Sequence, residues 1–185
     1  MIYQNLKLMI CEPFFDVVTY SRKIISNDIE SFGSTTDQNM LYWFTDEKWS
    51  KNKFTNTVVI CNEYNEIVAL CGNKMLDDNT VKILCHFYVL KKFRNLYQGI
   101  HQVLIIPKMV EHFTNVGAYG LWYSFDPYDK RHKRYSESQK RLLKGANVST
   151  DLMPYWDKFK FVGQVNYNNT VQDKFYMELR GSTIV

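Results

Sequence analysis

Three apolar, β-branched runs in the middle of the chain restrict its fold more than any other feature. "TVVIC" and "EIVALCG" are separated only by "NEYN", and "VKILCHFYVL" follows the turn residues Asp77, Asp78 and Asn79. Asn and Asp favour tight turns because their side chains bond their own backbone and tolerate left-handed dihedrals. Strand-length runs punctuated in this way predict three consecutive antiparallel strands.

The flanks complete the pattern. "IYQNLKLMI" reads as a strand. "EPFFDVVTYSRKII" reads as a helix, with Pro13 at its first position and Phe14, Val17, Val18, Ser21, Ile24 and Ile25 on one face. After the polar connection 27–39, "QNMLYWFTDEKW" predicts a second, shorter helix carrying Met40, Leu41, Trp43, Phe44 and Trp49, and residues 50–56 are polar again. These aromatics are candidates for an acceptor pocket or for the core. Beyond the three strands, Ile100, Val103, Leu104, Val110 and Phe113 fall at helical spacing, with Gly117 as the stop. Pro107 lies inside that stretch, where an α-helix loses a hydrogen bond, so a kink is expected there. "GLWYSF" is a short strand, and "FKFVGQV" and "KFYMELR" form a last hairpin around "NYNNTVQD". The expected order is β-α-α-β-β-β-α-β-α-β-β, an α+β (α/β/α) fold on a mixed, mostly antiparallel sheet, in a single domain over residues 1–185.

Composition narrows the class. A hydrophobic content of 45% with 23% charged residues suits a globular domain, and aromatics at 16% point to an aromatic-rich core or cleft. The four cysteines, Cys11, Cys61, Cys71 and Cys85, form no C-x-x-C pair and have no histidine at a ligand spacing, so they read as free thiols and no metal is expected. The N-terminus lacks a basic segment followed by an apolar one, and no apolar run approaches the ~20 residues of a membrane span. The expected location is cytoplasmic, with no membrane partner. A net charge of +4 is too mild to imply nucleic acid. Residues 130–144 carry seven Lys and Arg against the single acid Glu137. That segment has no helix-turn-helix, finger or ribonucleoprotein signature and reads first as a solvated face. A second reading has part of it neutralising a ligand phosphate, and a third has it meeting nucleic acid or an acidic partner.

Chemistry concentrates in "FRNLYQG", residues Phe93 to Gly99, between the third central strand and the next helix. A tight strand-to-helix turn leaves the first helical N–H groups without partners, and the helix dipole makes that end attractive to anions. Arg94 and Gly99 stand where a phosphate turn wants them, whereas Tyr97 stands where another glycine is expected.

The segment "YVLKKFRNLYQG" resembles the central motif of the GNAT acyltransferase superfamily, acetyl-CoA-dependent N-acetyltransferases. Val89, Phe93, Arg94 and Gly99 fall in register with it, Lys91 replaces its proline, and Tyr97 replaces its first glycine. "VVICNEYNEIVALCG" resembles the family's second and third strands. "YWDKFKFVGQV" is similar to its element before the last hairpin, with Lys160 in the glycine position, Trp156 in the tyrosine position, and Tyr155 one residue away. In element order the resemblance covers residues 57–180.

The resemblance implies a site. Main-chain amides of Leu96, Tyr97, Gln98, Gly99, Ile100 and His101 would hold the pyrophosphate of acetyl-CoA, flanked by Arg94 and Asn95. The pantetheine arm would pair with main-chain groups near Tyr88, Val89 and Leu90, where the strand is expected to splay from its neighbour. The acceptor would be an amine on a small molecule or a peptide. His86 is the candidate base, its ordinary pKa near 6.5 being suited to the task, or else a packed histidine on a strand. Tyr155 or Tyr135 would be the acid. The alternative is a GNAT-fold protein without catalysis that serves as a binding or structural module. Assembly is left open, a homodimer being compatible with the sequence.

Overall fold

The computed structural model describes residues 3–11, 44, 47–97, 99–125, 155, 158–167 and 169–179. Seven strands form a mixed, mostly antiparallel sheet. The chain gathers into two compact units, Met1–Leu76 with Lys82–Ile100, and Asp77–Val81 with His101–Val185.

In the first unit the strands run in the order β1 (Lys7–Cys11), β2 (Asn56–Cys61), β3 (Ile67–Met75) and β4 (Thr80–Val89). Every residue of β2 and the first seven of β3 are buried, so both faces of these strands are covered. That explains why the sequence shows continuous apolar runs rather than alternation. β2 pairs antiparallel with β1 and with β3. The β2–β3 hairpin closes on Asn62, whose Oδ1 accepts from the backbone N–H of Tyr64 and of Glu66 at 3.0 and 2.9 Å. Asn65 takes the left-handed position there, at φ 59°. The "NEYN" hairpin is therefore formed as the sequence indicates.

The short helix α1 (Glu47–Lys53) runs four residues past Trp49, through a stretch expected to be a polar connection. Apolar content set the expected end, but a helix's last turn can be wholly polar when solvent faces it, and Lys51 and Lys53 there suit the negative end of the dipole. The helix expected within residues 13–25 and the basic segment 130–144 lie outside the described residues.

In the second unit, β5 (Gly120–Phe125), β7 (Thr170–Glu178) and β6 (Lys160–Tyr167) lie in that order, so the last strand inserts between its two predecessors. Both pairings are antiparallel. Tyr123, Phe175 and Phe161 are in register across the three strands, with ring centroids 5.4 and 5.8 Å apart. This row accounts for part of the aromatic excess.

The helical stretch after Gly99 is built differently from the kinked helix the sequence implied. His101–Ile105 form a wide π-helical turn, and the regular helix α2 (Ile106–Asn115) starts only there. Pro107 thus falls in the first turn of α2, directly after the π-helical turn. α2 ends at Gly117 as expected. With φ 81°, Gly117 donates to Thr114 O at 3.1 Å and Ala118 donates to Phe113 O at 2.9 Å, the paired bonds of a Schellman cap.

Candidate active site

β4 does not run straight to its end. Leu84 has φ 54°, the only left-handed residue within a strand body among the described non-glycine residues. A left-handed leucine is strained by its Cβ, at roughly 1–2 kcal/mol. Its N–H is bonded by a side chain, Asn73 Oδ1, at 3.3 Å. Asn73 is fully buried on β3, and its Nδ2 donates to Asn56 Oδ1 on β2 at 3.0 Å. The kink shows in the burial pattern. Val81, Lys82 and Ile83 are buried in succession, and alternation resumes only at Tyr88, Val89 and Leu90. The one polar signal for this device, an asparagine inside "ALCGNKM", is easily passed over in a strand.

Beyond the kink, the Leu90 N–H bonds Val68 O of β3 at 3.0 Å. Backbone groups alternate in direction along a strand. The main chain of Tyr88 and Leu90 therefore faces β3, and that of Val89 faces the opposite edge. Val89 O accepts from Arg94 Nε at 2.9 Å. The Arg94 guanidinium lies 5.2 Å from the centre of the Tyr88 ring. Arg94 is thus folded back over the end of β4.

The turn that follows opens with one 3-10 turn, Lys91–Phe93. Phe93 O accepts from both Leu96 N–H, at 3.1 Å, and Tyr97 N–H, at 3.2 Å, and Tyr97 O accepts from Ile100 N–H at 3.3 Å. Three of the amides expected to hold pyrophosphate are therefore engaged inside the turn. Gln98 lies outside the described residues. Gly99 has φ 75°, a conformation open to glycine at little cost, whereas Tyr97 is not among the left-handed residues. The Tyr97 ring leans on Tyr3 and Phe93, with centroids 6.3 and 6.0 Å away. Burial raises the pKa of the Tyr3 hydroxyl. Lys91, Lys92, Arg94, Asn95 and Leu96 are exposed. Lys92 is paired with Glu66 at 2.5 Å, and hydrogen bonds from Lys92 and Asn62 hold that carboxyl below its ordinary pKa.

His86 lies just past the kink. Its ring meets the Phe54 ring edge-on at 5.7 Å, and Phe54 in turn stacks on Phe44 at 5.4 Å. Burial, with smaller contributions from Lys82 and Lys53, pushes the His86 pKa down to about 4. The imidazole is neutral at pH 7, but its conjugate acid is too strong for it to be an effective base toward an ammonium group. Phe44 is 1% exposed and belongs to the core. Trp43, and the side chain of Trp49, lie outside the described residues.

The remaining expected site residues belong to the second unit or lie outside the description. His101 opens the π-helical turn, buried, with its pKa pushed down to about 3 by that burial. Tyr155 O accepts from the Lys158 N–H at 3.2 Å, and the Lys158 ammonium stands 5.2 Å from the Tyr155 ring. Tyr135 is outside the described residues. Among the described residues no group of three His, Cys, Asp or Glu is placed to hold a metal ion.

The architecture is that of the GNAT N-acetyltransferases. A GNAT-family acetyltransferase from Staphylococcus aureus Mu50 superposes with a TM-score of 0.53 at 14% identity, over 94% of this chain and 100% of that one. A second N-acetyltransferase from the same strain gives 0.55 at 9% identity, over 94% and 97%. A chimera built on the spermidine N-acetyltransferase of Vibrio cholerae gives 0.54 at 10% identity, over 95% and 96%. No family model matches the chain, and no curated protein matches it. At such identities the likeness is one of fold.

Proposed function

We propose that the protein is an N-acetyltransferase that moves an acetyl group from acetyl-CoA to a primary amine of a small molecule or peptide, with residues 1–185 acting as one acyl-CoA N-acyltransferase-like domain. The observation that carries this reading is the backbone of the turn after β4. The left-handed position falls on Gly99, and Tyr97 occupies its place with an unstrained backbone and a ring turned onto Tyr3 and Phe93. The missing glycine therefore costs the turn nothing conformationally. The three amides bonded within the turn must exchange those bonds for phosphate oxygens on binding, so this cradle closes on its ligand rather than standing open.

Acetyl-CoA supplies the thioester. The chain's part is placement and charge. Val89, whose main chain faces the edge away from β3, offers an N–H to the pantetheine arm or to the oxygen of the tetrahedral intermediate. The amine attacks as the free base. The N–C bond forms, the C–S bond breaks, and the amine's surplus proton ends on solvent or on the leaving thiolate. Tyr155 or Tyr135 is the donor to that thiolate. His86, half-buried against Phe54, serves better as a packed neutral imidazole than as the base. The engaged amides favour one rival, a GNAT-fold binding module without turnover.

Amine-dependent release of free thiol from acetyl-CoA tests the reading. The rate should rise with pH toward the pKa of the acceptor, near 10.4 for a lysine-like amine, with no inflection near 6.5. His86→Gln should cost less than about tenfold in kcat, against the roughly 10²–10⁴-fold that loss of a general base brings. An inflection near 6.5 that vanishes in His86→Gln would instead make His86 the base. No thiol release with any primary amine would leave the binding-module reading.

A further inference from the structure

We propose that Asn73 is a positioning residue, whose buried side chain holds the kink at Leu84 and thereby sets the direction of Cys85–Val89. The inference rests on the acetyl-CoA reading for its functional consequence. Its structural part stands alone.

The Leu84 backbone also bonds the Cys71 thiol, and the Cys85 thiol donates to Lys82 O at 3.2 Å across the kink, but only Asn73 ties Leu84 through a side-chain amide to β2. Leu84 is left-handed inside a strand, and its N–H goes to Asn73 Oδ1 at 3.3 Å. A left-handed residue in a strand takes one N–H out of the ladder and turns the residues after it. Such strain persists only where its surroundings over-determine it. Here the surroundings are a chain of side-chain amides across three strands. Asn56 Oδ1 on β2 holds Asn73 Nδ2 at 3.0 Å, and this orients the Asn73 oxygen toward Leu84 on β4. Asn56 and Asn73 are direct partners in the β2–β3 register, both buried, so the brace is anchored in the most covered strands of the unit. Downstream lie His86, Tyr88 and Val89, the part of β4 that would run along the thioester arm. An apolar side chain would fill position 73 equally well if filling were its purpose. A buried amide there is costly unless it serves both its donor and its acceptor.

The test compares Asn73→Ala, the milder Asn56→Ala, and Asn73→Ala combined with Leu84→Gly, which adopts a positive φ without strain. Backbone amide NMR reports the direction of β4, and calorimetric titration with acetyl-CoA reports the site. Asn73→Ala should move the amide signals of residues 84–90 while β1 stays unchanged, and should weaken acetyl-CoA binding at least tenfold. Asn56→Ala should move the same signals less. The Leu84→Gly combination should restore affinity to within about threefold, which general destabilisation cannot do, because the added glycine removes further packing. Unchanged signals for residues 84–90 in the folded variants would overturn the proposal, as would loss of affinity without rescue. Should the wild-type chain not bind acetyl-CoA, the function proposed above fails, and the NMR arm still decides on Asn73. If Asn73→Ala does not fold, Asn56→Ala carries the same two outcomes.

Discussion

Lowering the pH from 6.5 to 5 should cost the protein a large part of its stability, before most carboxylates begin to protonate. Burial depresses the pKa of His86 to about 4 and that of His101 to about 3. Both values lie below the ~6.5 of an unfolded histidine. Below that pH the unfolded chain therefore binds protons that the folded chain refuses. Stability is complete above pH 6.5 and falls as the pH drops toward the folded values, by up to ~1.4 kcal/mol per pH unit for each group. At pH 4 the loss is on the order of 3 kcal/mol for His101, and less for His86, which keeps some solvent contact. That is a large share of the 5–15 kcal/mol by which a domain is typically stable. Glu66 and Asp78 have lowered pKa values, so their contribution is lost only further down, as pH falls through the carboxylate range. Urea midpoints measured from pH 7.5 to 5 should fall steadily, and His101→Phe should remove about half of the slope. A flat line between pH 6.5 and 5 would show that neither imidazole is held neutral.

Gly72→Ala should be the most damaging single methyl group in the first unit. A Cβ at Gly72 would stand 2.3 Å from Phe54 Cε1 and 2.4 Å from Phe54 Cδ1. Phe54 cannot give way cheaply, since it is 2% exposed, stacked on Phe44 and edge-on to His86. Overpacking of this kind costs typically 1–3 kcal/mol. For a chain of this length each kcal/mol lowers Tm by roughly 2–4 °C, so a fall of about 2–12 °C is expected. Phe54→Leu alone should also destabilise, by opening space. Combined with Gly72→Ala it should lose less than the sum of the two, because the smaller side chain vacates the place the methyl needs. Contacting residues show such coupling at 0.5 kcal/mol or more. Strict additivity would mean that Phe54 does not press on Gly72. The same pair governs His86, whose packing depends on where the Phe54 ring lies.

The parts of this molecule legible in its sequence are those where one local force dominates. "NEYN" had to turn, because Asn62 and Asn65 are the residues that satisfy and tolerate a tight hairpin, and β2 and β3 pair as that turn requires. Gly117 had to end α2, because only glycine takes φ 81° cheaply there. Pro107 was misplaced because sequence spacing cannot distinguish an α-turn from the wider π-helical turn His101–Ile105, which moves the start of α2 up to the proline. Leu84 was invisible for a related reason. Leucine carries no signal for a left-handed backbone, and the residue that holds it, Asn73, is 11 positions away. At the candidate site, the glycine requirement at position 99 was readable. The fates of Tyr97 and His86 were not, since Tyr3 and Phe54 reach them only through the fold. His86 looked suitable as a base on its ordinary pKa, and burial is the term that sequence reading could not supply.

Calorimetric titration of acetyl-CoA into the wild-type chain and a Gly99→Val variant measures the central claim most directly. The account predicts saturable binding to the wild-type chain. At a free ligand concentration 100 times Kd, that binding should also stabilise the fold by ~2.7 kcal/mol. Gly99→Val should bind at least tenfold more weakly, because a β-branched residue resists the φ of 75° on which the turn depends. No heat of binding at millimolar acetyl-CoA, or equal affinity in Gly99→Val, would contradict it.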